Sequence, residues 1–527
     1  KRYTLTETTR KMISELKDTI HIVVYLKGDL PVSFNRMSNE INDLLEEYKE
    51  ISGENLTFEF VNPTNEEDET QTNNTYKYLS NSGIIPFTIQ EKDDKGKQIS
   101  RIVFPGAIAF SRNKSVTINF LKNNLTTSVD ENVHNSVQNI EYELTNTIRK
   151  ITLLKKDNIA FLHGHGELDK NQTIDFSRSL QEYYTIKHIT LDSSIHDLDS
   201  VKALIIAKPQ TAFNEVDKFI VDQYLMNGGK ILWLIDMLNV PEDSLAYVRM
   251  ILGNANQLNL DDQLFKYGIR LNYNTILDNQ CAVIPLNVAS PGEQPRFNPA
   301  PWFFHPLSSP FENHPITKNL NLVRLQFPSV IDTLGGNPKL KKTILLRSSR
   351  YSKIMAAPAP IGFDILQSAP NQYFFNKYYL PMGVLVEGYF PSLFSNRIIP
   401  MIKEKSAFKK TDKSVKTSMI VFSDGDLCRN DLRKLAYDTI PLPLGFDRYT
   451  KETFGNKELM INAINFMCDN SGILNLRSRE IKIRLLDKTR IVEERTMWQV
   501  INIIIPLAIL ILTGILVFII RKKLYKR

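Results

Sequence analysis

The final apolar stretch constrains this chain most. Residues 500–520 read VINIIIPLAILILTGILVFII, with no charge, followed at once by RKKLYKR. As a helix rising about 1.5 Å per residue, that stretch spans roughly 30 Å, the thickness of a bilayer core. The preceding chain is too polar and too mixed to span. The pattern predicts a large body held by a C-terminal transmembrane helix. A buried helix of a soluble protein is the competing reading; the length, the basic stop and the terminal position oppose it. Asn502 and Pro506 are the awkward residues. Both lie in the first third, where a polar side chain reaches the interface and a proline removes the fewest interior hydrogen bonds. Trp498 falls at interface depth. Five of the last seven residues are Lys or Arg, whereas Arg495 stands beside Glu493 and Glu494. The positive-inside rule therefore puts the C-terminus in the cytoplasm and the body outside it. A signal peptide is excluded by position. The chain starts with Lys1 rather than Met, and a body outside the cytoplasm needs an export signal. A signal or signal-anchor helix is expected before Lys1.

The 527 residues are 42% hydrophobic, enough for two or three domains with real cores. A net charge of +7 is modest, partly the C-terminal tail, and interrupted by acidic runs such as residues 66–69. Without a basic stripe carrying interleaved aromatics, nucleic acid is not an expected partner. Cys281, Cys428 and Cys468 have no metal-ligand spacing. Cys428 and Cys468 could pair if close in space, but no disulfide framework is indicated.

In chain order, Thr4 and Glu7 have capping-box spacing before a first helix. Residues 20–26 (IHIVVYL) predict a strand, residues 39–48 a helix, and residues 56–61 (LTFEFV) another strand. This strand–helix–strand start suggests a small thioredoxin-like α/β unit, with no CxxC for dithiol chemistry. A helix at 76–80 and strands at 87–90, 101–104, 106–111 and 114–120 follow, with a charged turn at 93–97. Val133, Val137, Ile140, Leu144, Ile148 and Ile151 recur at helical spacing and predict one helix linking two domains. Beyond residue 158, strands at 159–162, 186–191, 201–207 and 230–235 alternate with helices at 176–183 and 214–226. That alternation predicts a mostly parallel open sheet covered on both faces. Residues 287–316, rich in Pro, Asn and Ser, read as a long surface excursion. Residues 343–347, 383–388 and 418–422 read as further strands, 403–416 with six lysines as a solvated loop, and 457–468 as a closing helix. The expected organisation is a small α/β domain at 1–130, a linking helix at 131–157 and a large α/β domain at 158–475. A connector at 476–499, the transmembrane helix at 500–520 and a basic tail at 521–527 complete it.

Two motifs carry candidate chemistry. His163-Gly-His165-Gly-Glu167 sits just beyond a strand's carboxyl end, where open α/β sheets bind ligands. Two imidazoles two residues apart suit zinc, with Glu167 or Asp169 completing a site. Yet the pattern is not HExxH and no downstream ligand cluster follows; a structural turn, or a turn whose N–H groups hold an anion, explains it as well. Ser423-Asp424-Gly425-Asp426, with Asn430 nearby, ends another strand. Its carboxylates could hold a divalent cation or orient His163 or His165, or form Asx turns that cap the next element. Asp236 is a third strand-end acid, and together these residues could line one crevice. EF-hand spacing, GxSxG, GxGxxG and the Walker A pattern are all absent. No catalytic set, cofactor or metal is assigned.

The chain resembles the GldG family, gliding-motility auxiliary subunits of bacterial ABC transporters in Bacteroidota. The resemblance rests on KRYTLTETTRK at the start, VYLKGDLPVSFNRM from Val24, FLHGHGE from Phe161, SDGDLCRND from Ser423 and NLRSREIKIRLLDK from Asn475. It implies an extracytoplasmic α/β body between two membrane helices, the first preceding Lys1, with the large domain similar to glutamine-amidotransferase-like sheets. It also implies a bacterial inner-membrane location with the body in the periplasm. The implied partners are a multispanning permease subunit, a cytoplasmic ATP-binding subunit, the lipid bilayer and cell-envelope or motility components. The family has no established catalytic set, so none passes to His163, His165, Glu167, Asp236, Asp424 or Asp426. The leading expectation is a non-catalytic auxiliary subunit that binds a partner or substrate. A membrane-anchored metal-dependent hydrolase and a cell-envelope scaffold are the alternatives. Asn502 and Pro506 become candidate packing positions against a permease.

Overall fold

The computed structural model describes residues 5–64, 69–92, 98–122, 124, 127–289, 293–309, 314–366, 373–403, 409–434, 439–469, 471–478 and 488–525. The acidic residues 66–68, the turn at 93–97, residues 404–408 of the lysine-rich loop and residues 479–487 of the connector lie outside them. So does Thr4. The observed cap is Thr6, whose hydroxyl accepts the Thr9 N–H at 3.3 Å and opens α1 (Glu7–Ser14).

β1 (Ile20–Val24), α2 (Val32–Ser52) and β2 (Leu56–Phe60) build a parallel pair. After α3 (Glu69–Asn81) come the hairpin β3 (Phe87–Lys92) and β4 (Gln98–Val103), then β5 (Gly106–Ser111) and β6 (Lys114–Asn119). The first sheet has the order β2-β1-β5-β6, with β5 antiparallel to both its neighbours. The helical run expected as one linker is two helices, α4 (Val129–Gln138) and α5 (Ile140–Thr152). Ser128 and Glu131 form a capping box at the start of α4. At the break, the buried Asn139 donates its side-chain amide to Asn135 O at 3.2 Å, a local bond that competes with continued helix. All six apolar residues of the run are buried in the core of the first sheet, so both helices complete that core.

The second sheet starts with β7 (Asn158–His163), α6 (Ile174–Gln181), β8 (Thr185–Thr190), β9 (Ala203–Ala207), α7 (Glu215–Met226) and β10 (Lys230–Leu234). A β-rich excursion follows: β11 (Leu238–Asn239), β12 (Met250–Ala255), α8 (Asp261–Lys266), β13 (Ile269–Leu271), β14 (Asn274–Asp278), β15 (Cys281–Asn287), β16 (Phe297–Ser308), β17 (Val323–Arg324) and β18 (Ile331–Thr333). Then come β19 (Leu340–Arg347), β20 (Ser352–Ala356), β21 (Ala359–Gly362), β22 (Pro381–Gly388), β23 (Thr417–Phe422) and α9 (Asn456–Cys468). The sheet order is β19-β22-β23-β10-β9-β7-β8. β23, β10, β9, β7 and β8 run parallel, while β22 and β19 add an antiparallel edge. Strand residues alternate between two buried cores. Ile159 and Phe161 join α6 and α9 on one face; Ala160 and Leu162 join α7 on the other.

The surface excursion expected at 287–316 is corrected by β16. Trp302, Phe303, Phe304 and His305 are buried there, and the strand pairs antiparallel with β15 through Val283–Pro301 and Pro285–Pro299. Prolines persist in such a strand only where a ladder N–H is dispensable. Trp302 and Phe304, with centroids 5.1 Å apart, pack in a separate core with Leu277, Phe327 and Ile361. The three cysteines are free thiols, so the conditional Cys428–Cys468 pairing does not occur.

The C-terminal unit is described by itself. α10 (Lys488–Leu524) contains residues 499–524, long and apolar enough to cross a membrane. Pro506 lies inside it. Lacking an N–H, Pro506 leaves the carbonyl of Asn502, four residues earlier, without its intrahelical donor.

Candidate functional site

The chain leaves β7 on one side to form β8 and returns on the other as β9, so the sheet's switch point lies between the loops after β7 and β9. Those loops are stitched together. His165 O accepts the N–H groups of Gln210 at 2.7 Å and Thr211 at 3.0 Å. Gly166, at φ +76°, lies so close to Gln210 that an added Cβ would sit 2.9 Å from the Gln210 Cβ.

The HGHGE residues divide between two settings. His165 Nδ1 lies 3.2 Å from Glu167 Oε1, and its Nε2 lies 3.0 Å from Asp217 Oδ2 in the first turn of α7. Its ring stacks on Phe213 with centroids 3.7 Å apart. Asn214 caps α7 by accepting the Val216 and Asp217 N–H groups, and donates to Asp217 Oδ2 at 2.7 Å. Burial alone would lower the His165 pKa; the hydrogen bonds to Asp217 and Glu167 outweigh it and raise the value to about 9. His165 is therefore an imidazolium at neutral pH, clamped between two carboxylates. His163 faces elsewhere: its Nε2 lies 2.8 Å from His188 Nδ1 of β8. Burial pushes both of these imidazoles below the usual range.

The three aspartates do converge. Asp236 follows β10; Asp424 and Asp426 follow β23; one carboxylate oxygen from each lies within 4.8 Å of the others. Lys208, at the end of β9, sends its ammonium among them. Nζ is 3.1 Å from Asp236 Oδ2 and also bonds Asp426. Arg429 Nη1 reaches Asp426 Oδ1 at 3.1 Å. Asp236 Oδ1 accepts the Gly425 N–H at 2.5 Å, and Asp424 accepts the N–H groups of Gln326 and Asp426, both at 2.8 Å. Gly425 is required here, since an added Cβ would lie 2.7 Å from the Lys208 Cβ. Lys208 itself holds φ +57°, a left-handed conformation that costs a non-glycine residue roughly 1 kcal/mol.

Charge in this cluster is unequally shared. Burial opposes ionisation of Asp426, but Lys208 and Arg429 outweigh it and hold its carboxyl below the usual range. Burial, then the Asp236 and Asp426 charges, raise Asp424 well above that range. Burial lowers the Lys208 pKa, yet Asp236 and Asp426 more than reverse this. The ammonium thus bridges Asp236 and Asp426, two of the three carboxylates.

Beside the cluster opens a cleft of about 650 Å³. Lys208, Asp236, Asp426 and Arg429 line it, as do residues of β15 and Leu238, Val240 and Pro241. His163, His165 and Glu167 are not among its lining residues. Glu242 Oε1 in this cleft lies 3.2 Å from His305 Nε2 and accepts the Trp302 indole N–H at 3.1 Å. Arg324 pairs with Asp447 at 3.3 Å. Sequence reading missed Lys208, Asp217, Glu242 and His305. Lys208 had a signal, directly ending a strand; Asp217 had another, three residues after a capping Asn. Ser423 donates to Ser329 O at 2.5 Å and Met382 O at 3.2 Å, with no base at its hydroxyl.

The family described as an ABC-type uncharacterized transport system matches residues 156–463, more than half of the chain. The chain belongs to this ABC-transporter auxiliary family. The match spans the whole large sheet and all three aspartates. A second model, a domain of unknown function, matches residues 1–110 of this auxiliary protein. An uncharacterized protein of Borreliella burgdorferi is 21% identical over 533 positions, covering 99% of this chain and 92% of its own. Among solved structures, the mmIFT52 N-terminal domain aligns at 14% identity, covering 60% of this chain and 98% of that one. Its TM-score of 0.33 bears on neither fold nor function. Among the described residues, no nucleophile–base pair accompanies the cluster.

Proposed function

We propose that the protein is a non-catalytic auxiliary subunit of an ABC transporter, with the cleft at the carboxyl edge of its large sheet as its ligand- or partner-binding site. The observation that carries this reading is Lys208 bridging Asp236 and Asp426 in the lining of an open cleft, with no nucleophile–base pair beside them among the described residues. Energy comes from a separate cytoplasmic ATP-binding subunit, and a multispanning permease is the membrane partner. The body is extracytoplasmic, in the periplasm of a bacterial inner membrane, and the C-terminus cytoplasmic; the basic residues after residue 520 support this orientation. Asn502 and Pro506 pack against the permease, where a partner donor can satisfy the freed carbonyl. A gliding-motility role rests on the GldG resemblance.

The strand order β2-β1-β5-β6, with one parallel pair and two antiparallel additions, supports a thioredoxin-like N-terminal unit. The five parallel strands support a relation of the large sheet to glutamine amidotransferases. The metal-dependent hydrolase reading meets a physical objection. His163 and His165 are engaged away from the three aspartates, and a metal at Asp236 and Asp426 must displace the part-buried Lys208 ammonium. Affinity purification of the full chain in mild detergent tests the proposal. Recovery of an ATP-binding subunit and a permease, lost when residues 500–520 are deleted, is the expected result; recovery of the chain alone contradicts it.

A further inference from the structure

We infer that a ribbon of tyrosines and cations on the large domain rests on a bilayer surface that carries anionic phospholipid. This contact is separate from the cleft and goes beyond the auxiliary-subunit reading. The ribbon is built from residues 347–353, which leave β19 and enter β20, and residues 373–380, which lead into β22. The two segments run antiparallel. Ser352 and Lys377 each donate a backbone N–H to the other's carbonyl, at 2.9 and 2.8 Å, and the Tyr379 N–H reaches Ser349 O at 2.9 Å. That pairing places Tyr351 across from Tyr378. The two segments hold four cations, Arg347, Arg350, Lys353 and Lys377, and no acid. They also expose four tyrosines: Tyr351 is 53% exposed, Tyr373 77%, Tyr378 69% and Tyr379 44%.

The charge balance of the ribbon is positive. Arg350 and Lys377 are exposed and make no ion pair among the described residues. The Arg347 guanidinium lies 4.7 Å from the Tyr379 ring centre, and Lys353 Nζ lies 3.7 Å from that of Phe374. The adjacent carboxylate of Asp278 is turned inward: it is buried, and it accepts the Ser349 N–H at 2.6 Å and the Ser349 hydroxyl at 2.5 Å. The exposed Asp364, beside Phe363 in the core that Phe374 joins, sets one acid against the four cations. A tyrosine has an apolar ring and a polar tip, which suits the headgroup region of a bilayer, and Lys or Arg beside it meets lipid phosphate. An acidic protein would also complement the cations, but two observations favour lipid. The rings project from the ribbon, none less than 44% exposed, instead of filling a pocket as the anchors of a protein interface do. The chain also carries α10, long and apolar enough to cross a membrane, and a tethered body meets a bilayer surface at high effective concentration.

The test uses the full chain, with photoreactive benzoylphenylalanine in place of Tyr378, reconstituted into lipid nanodiscs. One set of discs is phosphatidylcholine alone; the other adds one part phosphatidylglycerol to two parts phosphatidylcholine. Irradiation and mass spectrometry then read lipid adducts at that position. Phospholipid adducts are expected in the anionic discs. Their yield should fall about fivefold or more in the neutral discs, and about fivefold in the anionic discs for each of Arg350→Gln and Lys377→Gln. Arg350, Lys377 and Tyr378 are all exposed, so these changes leave the core intact. The absence of lipid adducts, equal yields in the two kinds of disc, or yields unchanged in both variants would overturn the inference. The same probe in cells separates the other occupant: adducts to a protein, with none to phospholipid, also overturn it.

Discussion

Lys208 Nζ lies 3.1 Å from Asp236 Oδ2, bringing a part-buried ammonium from the end of one strand to the acid at the end of the next. With Asp426 on the same ammonium, the salt bridge joins β9, β10 and β23. Removing one partner of a part-buried pair leaves the other charge undercompensated, at less than the roughly 3–5 kcal/mol that a fully buried pair costs. Lys208→Met is expected to lower the urea midpoint at pH 7.5 accordingly. Its deficit should shrink as the pH falls, because protonating Asp236 removes the stranded charge. Equal stability of parent and variant at pH 7.5 would show that the bridge is not a structural tie.

His165 sets an alkaline limit. Its folded-state pKa, about 9, lies above the usual 6.5, so its clamp contributes in full below about 6.5 and fades as the pH rises through about 9. Denaturation at pH 6.5, 8 and 9.5 should show the parent losing stability across this window. His165→Gln should be less stable at pH 6.5 and show a flatter alkaline limb. Parallel pH profiles for the two proteins would contradict the imidazolium assignment.

The aromatic segment of β16 behaves as core. Trp302 is 1% exposed, and its truncation to alanine should cost about 3–5 kcal/mol. Limited proteolysis of the parent should spare residues 297–308 despite their prolines. Prompt cleavage within that strand would return it to the surface.

The local periodicities made much of this architecture readable. The apolar run at 203–207 and the helix after Asn214 lie almost where spacing put them, because each buries a face whose pattern is local. The run PAPWFFHP misled, because its prolines speak locally for a loop while its burial depends on β15 and on a core assembled from distant residues. Site geometry was still harder to read. Asp236, Asp424 and Asp426 were visible as strand-end acids, but their meeting requires β10 and β23, nearly 190 residues apart, to be neighbours. Lys208 as the shared counter-ion of Asp236 and Asp426 follows only from that adjacency. The separation of His163 from His165 has a simpler cause. The strand ends at His163, and Gly164, at φ +127°, turns the chain before His165.

The membrane helix carries its own prediction. Replacing Asn502 and Pro506 together with leucine should leave insertion intact, since both changes raise apolarity and restore an N–H at position 506. Partner recovery should fall. Unchanged recovery would reduce α10 to an anchor.

The central claim is membership in a transport complex. Its most direct measurement is mass spectrometry of complexes formed by the tagged full chain after in-cell crosslinking and mild detergent extraction. Crosslinks from the chain to a multispanning permease, with an ATP-binding subunit in the same complex, are the predicted result. A chain crosslinked only to itself or to envelope proteins without an ATP-binding subunit would contradict the account.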